Sequence, residues 1–194
     1  MTEPLPTPDA PTAGAPPTAG APHSLDDVVH RIVWEIENDL MSPGEVAELR
    51  RLDPEAPGGA AYWKTVVFHL EPAEQLRGAD AEARWALILR ALGELHTLHR
   101  PRRRLGQALA AASVSEMRLV RLLRADLEAL AAALRAATHQ LASAGEPVDL
   151  ADLAWLVVTA RGPDGPRQGE EEVRRRIARD YYRGLRKATA ESNG

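Results

Sequence analysis

Two histidines late in a predicted helix are the residues whose type and spacing come nearest to metal chemistry. His96 and His99 are three residues apart, and Glu94 lies close before them. A zinc or di-iron site needs three or four converging ligands, and a helical di-iron site draws a second Glu-x-x-His pair from another helix. The sequence offers no such second pair. We interpret both histidines as surface residues and predict no metal site.

Other catalytic chemistries also lack their residues. Cysteine is absent, which excludes disulfides, thiolate zinc sites, iron–sulfur clusters and cysteine nucleophiles. The sequence contains no P-loop, no Gly-x-Ser-x-Gly elbow and no His-Glu-x-x-His motif. The carboxylate pairs Glu35/Asp39 and Asp149/Asp152 suit helix surfaces or helix caps. The sequence therefore predicts no catalytic residue and no cofactor, and a protein that is not an enzyme.

Arginine-rich stretches are the features that could bind a ligand, and the last one is the most regular. Between Val173 and Lys187 there are seven bases and one acid. At about 100° per helical residue, most of these arginines fall in one sector, opposite the apolar residues. This C-terminal Arg row comprises Arg175, Arg179, Arg183 and Arg186, with Arg176 at its edge. Like charges four residues apart destabilise a helix slightly, so the row indicates a track for a phosphate backbone. The alternative is a solvated face whose arginines pair with acidic residues of the same chain.

Two further basic groups lie in the same half of the chain. The junction cluster comprises Arg102, Arg103 and Arg104, and the central Arg row comprises Arg118, Arg121 and Arg124. The central row repeats every three residues and points largely away from a stripe of leucines. Three basic groups in one half favour a continuous basic surface, although only the fold decides whether they are coplanar.

The charge distribution changes what the net charge of −4 means. Residues 1–80 carry 14 acids and 5 bases, whereas residues 81–194 carry 14 acids and 19 bases. Such asymmetry suggests a basic interaction surface despite the acidic total. Of the 24 bases, 22 are arginine, whose planar fork suits phosphate, although the codon bias of a GC-rich genome explains the same excess.

Apolar residues recur at helical spacing after Ser24 and show no β-alternation, so the fold class is all-α. Helix starts are predicted at Ser24, Ser42, Asp80, Ser113 and Asp149, and the final helix is predicted over 170–187. The first helix is expected to carry its apolar stripe as far as Leu40. Leucines from Leu119 to Leu141 predict one continuous stripe, and 161–169 is a loop of turn-forming residues.

The predicted organisation is two packed helical subdomains behind a disordered tail. Residues 1–23 hold 7 of the 15 prolines and form this tail, 24–112 form the N-terminal subdomain, 113–187 form a C-terminal subdomain with a basic face, and 188–194 form a flexible C-terminus. No apolar run approaches the roughly 18 to 20 residues of a membrane span, and the N-terminus does not read as a secretory signal. We expect a cytoplasmic protein without membrane contact.

Aromatic residues are 4% of the chain, so stacking on bases has few rings available. The four tryptophans, Trp34, Trp63, Trp85 and Trp155, are interpreted as core residues. Tyr181 shares the apolar stripe of the last helix, whereas Tyr182 is rotated towards the C-terminal Arg row and could touch a sugar or base.

The order and spacing of short motifs from about residue 80 to 187 resemble the CasB family, the small subunit of the type I-E CRISPR Cascade complex. The motifs are Leu105-Gly-Gln-Ala-Leu109, Ser115-Glu-Met-Arg-Leu-Val-Arg-Leu-Leu-Arg124, a Leu-rich helix ending in Ala144-Gly-Glu-Pro-Val-Asp149, Leu150 to Val158, and Val173-Arg-Arg-Arg-Ile-Ala-Arg-Asp-Tyr-Tyr182.

The resemblance implies an all-helical, non-catalytic subunit that sits as a pair beside the large subunit and the repeated backbone subunit. It also implies that basic faces contact the crRNA–target DNA hybrid and the displaced DNA strand, with sequence choice left to guide pairing. Carried over by position, the contacts would come from the central row and the C-terminal row, and less securely from the junction cluster. A helical protein–protein adaptor and a free-standing non-specific DNA-binding protein remain the alternatives.

Overall fold

The structure is a computed structural model that describes residues 24–192; the tail predicted over 1–23 lies outside the described residues. Within 24–192 the fold is all-α, as predicted, and contains no strand. The helices are α1 (Leu25–Glu37), α2 (Pro43–Leu49), α3 (Ala60–Thr65), α4 (Ala81–Leu95), α5 (Leu105–Ala111), α6 (Glu116–Arg124), α7 (Leu127–Ala144), α8 (Leu150–Thr159) and α9 (Glu170–Ser192). A π-helical turn, Val66–Leu70, continues α3, and a 3₁₀ turn, His96–Leu98, follows α4.

Side-chain caps explain where several helices begin. The Ser24 side chain accepts a hydrogen bond from the Asp27 N–H at the start of α1, and the Asp149 carboxylate accepts one from the Ala151 N–H at the start of α8. A complete capping box joins Ser42 and Glu45 at α2, with Pro43 at the first helical position. These three predicted starts are confirmed, because each depends on residues adjacent in sequence.

Other local expectations were wrong. The cap of α6 is Ser115 rather than Ser113, which instead has a positive φ of 55° just before the helix. The predicted continuous leucine stripe is interrupted by an extended residue, Ala125, after which Asp126 caps a separate helix, α7. Leu40 lies beyond the end of α1 and is exposed.

One continuous core runs through both predicted subdomains, whose boundaries stay a prediction. Helix α4 lies at its centre and buries Trp85 together with most of its other side chains. Helices α7 and α8 pack against α4, and α1 packs against α8. Trp85 is a core residue as predicted, but Trp63 and Trp155 are exposed. The Trp155 Nε1 donates a hydrogen bond to Asp26 of α1 at 2.6 Å. Among the described residues, no helix has both the length and the apolar character needed to cross a bilayer.

A buried arginine fixes the loop before α9 to the core. Arg84 on α4 is fully buried, donates to the Val157 carbonyl at 2.6 Å and pairs with Asp80 at 2.6 Å. The other carboxylate oxygen of Asp80 pairs with Arg167, which lies in the 161–169 loop. This chain of contacts joins the start of α4, the end of α8 and the approach to α9.

Candidate nucleic-acid interface

Helix α9 lies very close to α5 because the contact is made by small residues. A Cβ built on Gly106 of α5 would lie 2.2 Å from the Ile177 carbonyl oxygen and 2.7 Å from the Tyr181 nitrogen. A Cβ built on Gly184 of α9 would lie 2.8 Å from the Ala110 Cβ. These glycines therefore permit a backbone approach that any larger residue would prevent, and α5 fixes one side of α9.

Two hydrogen bonds hold α6 beside α9 in the antiparallel direction. The Tyr181 hydroxyl donates to the carbonyl of Val114, just before α6, at 2.5 Å. Arg174 Nη2 donates to the carbonyl of Ala125, just after α6, at 2.8 Å. Burial raises the pKa of Tyr181, so its hydroxyl remains a donor at neutral pH. The central Arg row on α6 and the C-terminal Arg row on α9 therefore lie on neighbouring helices.

The C-terminal Arg row faces solvent, as its spacing predicted. Val173, Ile177 and Tyr181 of α9 are buried, while Arg175, Arg179, Arg183 and Arg186 are all exposed. Arg175 pairs with Glu171 at 2.8 Å, and Arg183 lies 3.4 Å from Asp180. Within the described part of the chain, Arg179 and Arg186 make no ion pair or side-chain hydrogen bond. The row thus combines one solvated ion pair, one pair to the buried Asp180, and uncompensated cations.

The central Arg row is exposed and carries little internal neutralisation. Arg118 donates to the Gln140 amide oxygen at 2.7 Å, a neutral partner. Arg121 and Arg124 have no hydrogen-bonded or ionic side-chain partner among residues 24–192. Because a neutral amide leaves the arginine charge in place, all three side chains keep their positive charge on the solvent face of α6.

Arg176 is held differently from its neighbours in the row. It pairs at 2.6 Å with Asp152, a buried residue of α8. The same carboxylate accepts the Leu105 N–H at 2.8 Å and lies 3.4 Å from Arg104. Asp152 therefore joins α5, α8 and α9, and it neutralises two arginines that the sequence assigned to the interface.

The rest of the junction cluster is also tied to acidic residues of the chain. Arg103 lies 3.5 Å from Glu146. Arg102 has a left-handed backbone conformation with φ of 68°, and its backbone N–H donates to the Asp149 carboxylate at 2.7 Å. The Arg102 side chain is exposed. Arg103 and Arg104 thus have acidic partners within the chain, and Asp152 links Arg104 to Arg176 of the C-terminal row.

A groove at the start of α9 contains basic residues that the sequence did not single out. It has a volume of about 710 Å³ and is lined by Arg161, Arg167, Glu170, Glu171, Glu172, Arg175, Arg176 and Arg179 among others. The Arg161 carbonyl accepts the Leu127 N–H at 2.8 Å, so the groove adjoins the end of α6. Arg161 is exposed and 3.8 Å from the buried Glu170. The one feature of the sequence that could have pointed to Arg161 and Arg167 is that their loop leads directly into the arginine-rich helix α9.

Tyr182 lies beside this basic surface. It is 49% exposed, and its ring packs edge-on against Tyr181 with centroids 5.4 Å apart. Since Tyr181 is buried, the contact holds the Tyr182 ring in place while leaving a face in solvent. This agrees with the orientation that its position in the helix predicted.

The family model described as CRISPR-associated protein Cse2 matches residues 45–182 of the chain, which include α6 and most of α9. This chain belongs to the Cse2 family. Cse2, also called CasB, is a family of structural subunits, and membership makes the chain a subunit of a CRISPR Cascade complex.

A solved Cse2-family structure has a similar fold. The crystal structure of CasB from Thermobifida fusca superimposes with a TM-score of 0.54 at 21% sequence identity, covering 81% of this chain and 94% of that chain. At this identity the likeness concerns the fold. A comparison with curated proteins finds no match. The Cse2 assignment therefore rests on the family model, and it confirms the resemblance that the motif order indicated.

Proposed function

We propose that this Cse2-family subunit holds nucleic acid by its sugar–phosphate backbone within Cascade, through the arginines of α6 and α9. The observation that carries the proposal is the antiparallel placement of the two helices, fixed by the Tyr181–Val114 and Arg174–Ala125 hydrogen bonds. It brings two exposed Arg rows onto neighbouring helices.

The charges that remain available decide which arginines bind. Arg104 and Arg176 share the buried carboxylate of Asp152, and releasing either one would leave that anion undercompensated. On α6 and α9, the exposed arginines without a carboxylate partner in the described residues are free to meet phosphate. They are Arg118, Arg121 and Arg124 on α6 and Arg179 and Arg186 on α9. The Arg175–Glu171 pair is exposed on both sides and exchanges partners at low cost, whereas Arg183 lies beside the buried Asp180.

Contacts of this kind are independent of base sequence. Arginine contacts to phosphate release condensed counterions and carry no information about bases. Sequence choice would then come from guide pairing, as in other RNA-guided complexes. The strands that suit this surface are the crRNA–target DNA hybrid and the displaced DNA strand.

The remaining parts of the proposal rest on family membership. The subunit works in the cytoplasm without catalytic activity, beside the large subunit and the repeated backbone subunit. A second copy of the chain sits in the same complex. No metal or other cofactor is required for the backbone contacts themselves, because arginine supplies the positive charge.

The test is the salt dependence of target binding by the assembled Cascade complex containing the full chain. We expect substitution of Arg121, Arg124 and Arg179 by Gln to reduce the slope of log K against log[salt] by about two to three units. This follows from roughly 0.7 to 0.9 units per phosphate contact. The measurement is an equilibrium binding titration with mixed-sequence target at several salt concentrations.

A matched control separates local contacts from overall charge. Arg51, Arg77 and Arg135 are exposed and lie outside α6 and α9, so changing them to Gln removes the same three charges. The control should leave the slope nearly unchanged. An equal slope for both triple variants, or no change in either, would show that the two rows are not the phosphate contacts.

The adaptor alternative has one observation in its favour. Trp63, Val67 and Phe68 share the solvent side of α3 and its π-helical turn and are each more than half exposed. Exposed apolar groups of this kind suit a protein partner. Loss of Cascade proteins from a nuclease-treated purification of the Arg121/Arg124/Arg179 variant would favour an adaptor role for the arginines instead.

A further inference from the structure

Three metal-ligating side chains from distant parts of the sequence meet at one point in the fold. His30 comes from α1, His99 follows the 3₁₀ turn after α4, and Asp149 caps α8. One ligand atom from each lies within 4.8 Å of the other two. The point is remote in sequence from α6 and α9, and nothing in the proposed interface uses it. Two imidazoles and one carboxylate are a recurring ligand set for divalent transition metals.

His30 directs its Nε2 towards Asp149. Its Nε2 is buried and has no hydrogen-bond partner among the described residues. It lies 3.6 Å from Asp149 Oδ1, just beyond hydrogen-bonding distance. Two ligands on a tetrahedral zinc, with bonds of roughly 2.0 to 2.1 Å, are about 3.3 Å apart. The His30–Asp149 separation is thus close to the one that a bound zinc ion would impose.

Two of the three groups have the protonation state that a cation needs, whereas the neighbouring Asp149 raises the pKa of His30, so an ion would have to displace a proton from that ring. Burial lowers the pKa of His99 to about 4, so the ring is neutral at pH 7. Burial alone would raise the pKa of Asp149, but the neighbouring His30 ring and the hydrogen bonds from the backbone N–H groups of Arg102 and Ala151 lower it. The Asp149 carboxylate is therefore anionic. Metal ligands must be unprotonated in this way.

A backbone hydrogen bond orients the His99 ring and selects one neutral tautomer. The Leu150 N–H donates to His99 Nδ1 at 3.2 Å, which leaves the ring proton on Nε2. A backbone hydrogen bond at Val148 is also within reach of the ring. To bind a metal through Nε2, the ring would have to move its proton to Nδ1 and give up the hydrogen bond from Leu150.

We propose that His30, His99 and Asp149 bind one divalent transition-metal ion, with zinc as the reference ion and water completing the coordination. The ion would join α1, the segment after α4 and the start of α8. The His30 side chain is 35% exposed, which gives an ion a path from solvent. The ordinary alternative is a weak ion pair between His30 and Asp149 with no metal.

The test uses the full untagged chain, stripped with chelator and dialysed against Zn²⁺. We expect native mass spectrometry to show one zinc per chain, and the melting temperature to rise with zinc because ligand bound to the folded state stabilises it. The informative variant is His30→Gln, which should weaken zinc binding roughly 100-fold or more, since it removes a direct ligand and even outer-shell partners matter 10- to 100-fold.

His139→Gln is the matched control, because His139 is an exposed histidine on α7, away from this cluster. It should bind zinc like the unaltered chain. If His30→Gln is unfolded by circular dichroism, His99→Gln replaces it in the same titration. No zinc bound at micromolar concentration, or equal binding by the control and the cluster variant, would overturn the proposal and leave the ion pair.

Discussion

The contact between α5 and α9 makes Gly106 the position where one added methyl group should matter most. An alanine Cβ there would meet the Ile177 carbonyl oxygen at 2.2 Å, about 1 Å inside normal contact. The opposing atoms are backbone, so no side-chain rotation can relieve the overlap and the helices must separate. Overpacking costs about 1 to 3 kcal/mol, and an overlap with backbone atoms belongs in the upper part of that range, about 2 to 3 kcal/mol, while Gly→Ala within a helix returns about 1 kcal/mol. We expect Gly106→Ala to lower stability by about 1 to 2 kcal/mol.

Thermal and urea unfolding of the full chain measure this loss. For a chain of this size, 1 kcal/mol corresponds to roughly 2 to 4 °C in melting temperature, so Tm should fall by about 2 to 8 °C. Gly44→Ala is the control, because a Cβ at Gly44 meets only the Ser42 hydroxyl oxygen, at 3.9 Å. That variant should be neutral or slightly stabilised. A Gly106→Ala chain that melts at or above the unaltered one would refute the close α5–α9 contact.

Two further substitutions test the buried carboxylates. Asp152→Ala should lower the free energy of unfolding in urea by about 2 to 3 kcal/mol, because the Leu105 N–H loses its acceptor and two partly exposed arginines lose their carboxylate partner. A loss below about 0.5 kcal/mol would contradict the network around Asp152. The hydrogen bond from Arg84 lowers the pKa of Asp80 below its ordinary value of 3.8, so the stabilisation by this carboxylate is present above pH 3.8 and disappears as the pH falls through the lowered pKa. Asp80→Asn should therefore be less stable at pH 7 yet lose less stability between about pH 4 and pH 2, and acid unfolding curves parallel to those of the unaltered chain would argue against this assignment.

Helix starts were predictable where the cap lies within three residues of its donor. The Ser42 box needs only Glu45, which is visible in the sequence, and the structure contains it. The start of α6 shows the limit, because Ser113 and Ser115 are both capping residues and only the backbone path selects the second. The break at Ala125 likewise depends on packing against α9, since its carbonyl accepts Arg174.

The exposed side of a helix was harder to predict than the helix itself. Trp63 has the spacing of a core residue, but whether its side of the helix is covered depends on the tertiary packing. No segment of the described chain covers it, and the side chain is exposed. The same applies to charge. Arg175 and Arg176 are adjacent in sequence, yet one pairs with an exposed glutamate of its own helix and the other with a buried aspartate of α8. Their different roles follow from the position of α8, which the sequence does not give.

The acidic first turn of α9 limits how far a polyanion can follow this helix. Glu171 and Glu172 are exposed beside Arg175, so a phosphate chain approaching that end meets like charge and must turn away. The stretch from Arg179 to Arg186 spans about 10 Å at 1.5 Å per residue, which matches about three steps of a strand rising 3.4 Å per nucleotide. Under the proposed function, one copy of α9 would therefore contact only a few nucleotides, and a longer strand would need several subunits arranged in series.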